Sequence, residues 1–161
     1  ENIYAGDSQR WGDESAAHVA CEVGQAAEVV RGLDGGLEQR LGRGFPNGTD
    51  LSGGQWQKVA LARGFFRERA DIRVFDEPTA ALDASAEAEV FQRIYARRSD
   101  SLTIVVAHRL ATLRAADLIL VLDRGKVVER GSHEELVGRG GRYAELFQLQ
   151  AEMYSDRGGP T

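Results

Sequence analysis

Leu51-Ser52-Gly53-Gly54-Gln55 is followed, twenty-one residues after Gln55, by Asp76-Glu77, and this pairing decides how the chain is read. The acidic pair closes an apolar run, in Phe75-Asp76-Glu77-Pro78-Thr79. Ala81-Leu82-Asp83 comes next, and His108 closes a second apolar run. Working outward, Ser52 stands three residues before Gln55, a capping-box pattern that starts a helix. Val59, Ala62 and Phe66 give that helix an apolar face. Ile72-Arg73-Val74-Phe75 reads as a short strand and Ser85 to about Arg98 as a helix. Leu102–Ala107 and Leu118–Leu122 are near-continuous apolar runs, which suit strands buried on both faces of a helix-covered parallel sheet. Strand, helix, strand in this rhythm implies right-handed crossovers.

The flanks are less regular. Ala16, Val19, Ala20, Val23, Ala27 and Val30 recur at helix spacing. The stretch Gly32 to Gly48, with six glycines and Pro46, is loop chemistry. Asp123-Arg124-Gly125 reads as a hairpin turn into Lys126-Val127-Val128-Glu129. Ser132-His133-Glu134-Glu135 is a second capping box. A final helix carries Tyr143, Leu146, Phe147 and Met153 on one side, and residues 157–161 read as frayed.

Composition bounds the function. A chain of 161 residues with 42% hydrophobic and 28% charged residues is an ordinary globular domain. Its net charge of −5 and lack of a basic stripe exclude broad nucleic-acid binding. Cys21 is the only cysteine, so no intrachain disulfide forms, and it reads as a small buried side chain. No apolar stretch reaches the roughly 18 residues that span a bilayer, and there is no signal-peptide pattern. The chain opens on Glu1 rather than Met, which reads as a fragment or processed piece of a longer protein.

The chemistry follows from the sheet. Ligands of open α/β sheets bind outside the carboxyl ends of the strands. If the strands ending at Asp76 and before His108 are parallel, two carboxylates and an imidazole share one rim. An Asp closing an apolar strand is suited to hold Mg²⁺ beside nucleotide phosphates. An adjacent Glu is suited to polarise a water as general base. His108 is placed to donate to a terminal phosphate or to position the water. The plainer alternative is a solvated acidic turn and a strand-capping histidine. The order of the motifs outweighs it. The glycines of Ser52-Gly53-Gly54-Gln55 let backbone N–H groups approach an anion. A helix end contributes about 0.3–1 kcal/mol per anionic charge, up to about 2 when partly buried. The turn therefore acts as a lid on a nucleotide gripped elsewhere. His18 and His133 read as surface or capping residues. Arg73, in a strand, is expected to reach the sheet rim or to pair with an acid.

These motifs resemble the nucleotide-binding domain of ABC transporters. Leu51–Gln55 is similar to the signature motif and Phe75-Asp76-Glu77 to Walker B with its catalytic glutamate. Ala80-Ala81-Leu82-Asp83 resembles the D-loop, and Ala107-His108-Arg109-Leu110 the H-loop. Gly131–Leu136 resembles the segment after the last hairpin of exporter-type domains, and Glu1-Asn2-Ile3 the segment soon after the Q-loop. The resemblance implies an α/β, partial P-loop NTPase fold, with a mostly parallel sheet, helices and an N-terminal helical subdomain. Residues 1–70 would form that subdomain and 71–161 the second half of the catalytic core. It implies ATP and Mg²⁺ as cofactors, with Asp76 on the metal and Glu77 and His108 catalytic. Ser52, Gly53, Gly54 and Gln55 would touch the γ-phosphate of ATP held by a second such domain in a head-to-tail dimer, and Asp83 would lie at that interface. The other implied partner is a transmembrane domain, which places the chain at the cytoplasmic face of the cell membrane and couples hydrolysis to transport. Gly32-Leu33-Asp34-Gly35-Gly36 and the Tyr143–Tyr154 tail lean toward export.

The sequence departs from the family chiefly in the phosphate-holding half, and in a smaller way at Arg73. The P-loop is Gly, four residues, Gly-Lys-Ser/Thr. Gly125-Lys126 is followed by Val127 and preceded at position 120 by Leu, and Lys58 follows Gln57. The Q-loop glutamine and the adenine-stacking aromatic would lie ahead of Glu1, and Gln9 and Gln25 stand in the wrong context to replace them. The chain alone is therefore expected to bind ATP poorly and hydrolyse it negligibly, and to expose sheet edges and apolar surface. Two alternatives stay open. One is a non-catalytic module that lends its signature turn to a complete partner, testable by rescue of ATPase activity on mixing. The other is a soluble ABC ATPase outside transport.

Overall fold

The computed structural model describes residues 1–96 and 101–155, so the expected reach of the second helix to Arg98 and the frayed residues 157–161 lie outside the described residues. In chain order the elements are α1 (Glu14–Val23), α2 (Ala27–Arg31), α3 (Gly53–Phe66), β1 (Ile72–Asp76), α4 (Ala84–Ala96), β2 (Leu102–Val106), β3 (Ile119–Asp123), β4 (Lys126–Gly131), α5 (His133–Arg139) and α6 (Arg142–Ser155), with short 3₁₀ turns between. Two compact units result: Glu1–Val106, and a second from Ala107 onward.

In the first unit, the helical core forms where α1 meets α3. Asp13 caps α1 by accepting from the Ala16 N–H at 2.9 Å. Ala16, Ala17, Ala20 and Cys21 are buried, whereas Val19 is 52% exposed, so the inward face is one position out of phase with the expected one. The expected single periodicity also breaks at Gln25, whose φ of 59° ends α1 and starts α2 afresh. Burial pushes the Cys21 thiol up to about 11, in keeping with its reading as a packed apolar group. Val59, Ala62 and Phe66 of α3 face this core as expected, and Tyr4 meets Phe66 edge-on at 5.7 Å between ring centres. The other face of α3 is also used: Phe65 packs on Phe75 of β1 at 5.7 Å. Arg93 of α4 donates to the Glu22 carbonyl and, at 2.8 Å, to the Val23 carbonyl, a cation on the negative end of α1.

The strands β1 and β2 pair in parallel, Ile72 opposite Leu102 through Asp76 opposite Val106, with α4 as the crossover. The Leu102–Ala107 run was expected to be buried on both faces, and only one face of the pair is covered. Ile72, Val74, Leu102, Ile104 and Val106 share the outward face by their register and are 44–63% exposed. The inward face holds Phe75, Val105, Thr103 and Arg73. Arg73 reaches the amino-end rim, donating to Ser101 Oγ at 2.7 Å and to the Glu68 carbonyl at 2.6 Å, so among the described residues its partners are neutral oxygens and not an acid.

In the second unit, β3 and β4 form an antiparallel hairpin, so the Leu118–Leu122 run does not join the parallel pair. Arg124 and Gly125 turn it, with φ of 47° and 76°, the conformation of a tight right-twisted hairpin. Ser132 caps α5 with the full capping box read from the sequence. Ile119, Leu136 and Tyr143 form a small core that Phe147 joins. His133 is not at the surface: it is buried, and its Nδ1 lies 2.9 Å from the Tyr143 hydroxyl. Met153, expected on the packed side of α6, is 63% exposed.

Candidate nucleotide-processing site

The parallel register puts the carboxyl ends of β1 and β2 on one edge, with Asp76 directly opposite Val106. Asp76 is exposed there. It follows Ile72 and Val74 at period two, so its side chain projects from the open aliphatic face. Glu77 extends the pairing by one bond, its N–H donating to the Val106 carbonyl at 2.9 Å. The chain then swings away, because Glu77 takes a φ of 45° and Pro78 cannot continue the ladder. A non-glycine residue in that left-handed region costs of order 1–3 kcal/mol. An intramolecular hydrogen bond contributes about 0.5–1.5 kcal/mol, so several bonds on this turn are of the size needed to hold it.

Those bonds come from α3. Gln57 Nε2 donates to the Glu77 carbonyl at 2.9 Å, and the Ala81 N–H donates to Gln57 Oε1 at 2.8 Å. Within the turn, Leu82 N–H donates to the Thr79 carbonyl at 3.0 Å, and buried Thr79 donates its hydroxyl to Glu87 at 3.0 Å. Asp83 ends the turn as the cap of α4, accepting from the Ala86 N–H at 2.9 Å. Gln57 and Glu87 stand outside the motifs that the sequence sets apart. The available signal was spacing: Gly54, Gln57, Leu61 and Phe65 form a second stripe on α3, beside the apolar stripe of Val59, Ala62 and Phe66.

At the start of α3, Ser52 Oγ accepts from the Gln55 N–H at 3.3 Å, and Gln55 Oε1 accepts from the Ser52 N–H at 2.9 Å. Leu51 is buried and anchors the approach, whereas Ser52, Gly53 and Gln55 are exposed. The two glycines differ. A Cβ on Gly54 would lie 3.2 Å from the Ala81 carbonyl oxygen, so packing against the Glu77–Ala81 turn favours glycine. A Cβ on Gly53 would meet nothing within 4 Å, so the chain's own packing does not demand glycine there. The Ser52–Gln55 turn and the acidic turn thus sit together in the first unit, joined through Gly54 and Gln57.

His108 is the second residue of the second unit, two residues after β2 ends, and is exposed. Its carbonyl accepts from Gln150 Nε2 of α6 at 2.6 Å, and the Leu110 N–H donates to Gln150 Oε1 at 2.9 Å. A cavity of about 810 Å³ lies elsewhere in the first unit, lined by Ile3, Tyr4, Leu37, Leu41, Trp56 and others, and holds none of these side chains. Among the described residues no cluster of three His, Cys, Asp or Glu side chains exists to hold a metal ion.

This arrangement, a small parallel sheet with helices and a signature-type helix braced on the acidic turn, is a partial ABC ATPase fold. The solved structure of a bacterial Atm1-family ABC exporter with ATP bound matches 93% of this chain and 25% of its own, at a TM-score of 0.79 and 37% identity. The chain is 43% identical over 131 residues to the ATP-dependent lipid A-core flippase of Haemophilus ducreyi, covering 81% of this chain and 22% of that protein. It is 42% identical over 147 residues to the flippase of the same name from Shewanella frigidimarina, covering 91% and 23%. The ABC-type transporter fsqE of Aspergillus fumigatus is 41% identical over 151 residues, covering 94% and 11%. The homologues are therefore ABC exporters, and the chain spans about a quarter or less of their length. No protein-family model matches the chain. Among the described residues no helix is long and apolar enough to cross a membrane.

Proposed function

We propose that this chain supplies part of the ATP-hydrolysing machinery of an ABC exporter, with residues 1–70 as the helical subdomain and 71–161 as the second half of the catalytic core. The observation that carries this reading is the joined pair of turns: Ser52–Gln55 at the head of α3 and Asp76–Asp83 beyond β1, held by Gln57.

Asp76 would hold Mg²⁺ at the strand edge, where the ion neutralises charge on the phosphates of ATP. Glu77 accepts a proton from the attacking water, and its half-buried position beside the rim favours the directional hydrogen bond that role needs. His108 donates to the terminal phosphate or positions that water, an assignment supported by its place just past β2. Ser52, Gly53, Gly54 and Gln55 would meet the γ-phosphate of ATP on a second, head-to-tail domain, with the Gly53 and Gly54 N–H groups as the backbone donors, since those of Ser52 and Gln55 are engaged in the capping box, and the unfilled space at Gly53 admits the phosphate. Asp83 lies at the end of the same braced turn and carries contact across that interface. A transmembrane domain is the partner that hydrolysis drives, which places this module at the cytoplasmic face of the cell membrane.

No P-loop pattern occurs in these residues. Phosphate capture rests chiefly on that loop, so the chain alone binds ATP weakly and turns it over negligibly. Steady-state ATPase assays of the chain test this. Mg²⁺-dependent turnover by the chain alone, lost in Glu77→Gln, contradicts it.

A further inference from the structure

The two side chains proposed for proton handling share a feature of their backbones. In the first unit the Glu77 carbonyl accepts from Gln57 Nε2 at 2.9 Å, and Gln57 Oε1 accepts from the Ala81 N–H at 2.8 Å. In the second unit the His108 carbonyl accepts from Gln150 Nε2 at 2.6 Å, and Gln150 Oε1 accepts from the Leu110 N–H at 2.9 Å. Each glutamine projects from a fourteen-residue helix, α3 or α6. Each closes a short loop by bonding its first carbonyl and a later N–H. At neutral pH a carboxamide carries a donor and an acceptor side by side in this way, whereas an ionised carboxylate only accepts.

We propose that Gln57 and Gln150 are positioning residues, each fixing the backbone from which a reacting side chain projects. The inference rests on the functional reading above. Ordinary helix–loop packing needs no matched donor and acceptor, and methionine would fill the same space. At Glu77 the demand is greatest, because the φ of 45° is held against the preference of a glutamate. Gln57 also lies five residues beyond Ser52 on α3, so it ties the signature turn to Glu77 within one chain.

The test is ATP turnover in the full-length subunit that contains this chain, comparing Gln57→Met and Gln150→Met with wild type, and with Glu77→Gln and His108→Ala as controls. Misplacing a reacting group by about 1 Å costs up to about a hundredfold in rate. The expected result is a kcat lowered about ten- to a hundredfold in each methionine variant, with KM for ATP changed less than about twofold. Backbone amide exchange should quicken at Ala81 in Gln57→Met and at Leu110 in Gln150→Met. Gln57→Glu and Gln150→Glu add a pH readout. A protonated carboxyl regains a donor beside its acceptor, so their kcat relative to wild type should rise as pH falls from about 8 toward about 5.5. If the methionine variants fail to fold, this pH series decides alone. Wild-type kcat in the methionine variants, or a glutamate deficit flat in pH, overturns the proposal while Glu77→Gln and His108→Ala still abolish turnover. Turnover that survives both controls overturns the functional reading and the proposal with it.

Discussion

The helical part of the first unit and the strand pair that follows it bury their apolar residues by opposite logic. Around α1 and α3, the side chains with the fewest polar atoms face inward: Ala17, Val59, Ala62 and Phe66 are each at most 2% exposed. In β1 and β2 the purely aliphatic face looks outward, and the face toward α3 and α4 carries Arg73 and Thr103 beside Phe75 and Val105. The helical region closes on itself. The strand pair is covered on one side only, and Asp76 ends its uncovered side. Burial on that outward face adds little to this chain's own stability.

Phe66→Ala bears on that contrast most heavily. Deleting a fully buried phenyl ring costs about 3–5 kcal/mol, and chemical denaturation of the chain should show a loss of that size. The Cys21 thiol gives a local readout of the same region. Buried, with its pKa raised to about 11, it should resist alkylation at pH 8 in the native chain and react on global unfolding. Rapid labelling of the native wild-type chain would mean that the helical core is open. Next in size is Ser52→Ala, which removes one half of the capping box at α3 and should cost about 1 kcal/mol. The smallest effect belongs to the strands. Val74→Thr, on the open face, should shift stability by less than about 0.5 kcal/mol. A loss comparable to that of Phe66→Ala would mean that the face is covered in solution.

A weaker signal comes from pH. Asp13 is held below the usual carboxylate range, first by the Ala16 N–H and then by Arg10. A depressed folded-state value stabilises the chain above the unfolded carboxylate's pKa, and that contribution is lost as pH falls through the folded value. Asp13→Asn should therefore lower stability slightly in the neutral region and leave it little changed below the folded value, which flattens the acid limb of the stability curve. Denaturation midpoints at descending pH measure it.

Much of this was legible in the residues. Both capping boxes, the hairpin turn at Arg124-Gly125, the strand ending in Asp76 and the inward stripe of α3 follow from local rules that tertiary context did not override. The misreadings share a cause. Val19 and Met153 are apolar at helix spacing, but periodicity does not say which neighbouring element is present to cover them. An apolar run such as Leu102–Val106 marks a strand without specifying how many of its faces are packed, and Leu118–Leu122 marks one without specifying its partner. His133 was hidden because a first-turn histidine after a capping serine has the same local pattern whether it meets solvent or a tyrosine hydroxyl. Gln57 and Gln150 were hidden for a related reason. A carboxamide's value depends on a carbonyl and an N–H twenty or more residues away, a pairing that no local pattern encodes.

The account depends most on Glu77 as the acceptor of the proton from water, poised on the turn that Gln57 braces. Its most direct test is steady-state ATP hydrolysis by the full-length subunit with Glu77→Gln against wild type. The account expects kcat to fall at least about a hundredfold, with ATP still bound. Turnover within a few-fold of wild type would contradict it.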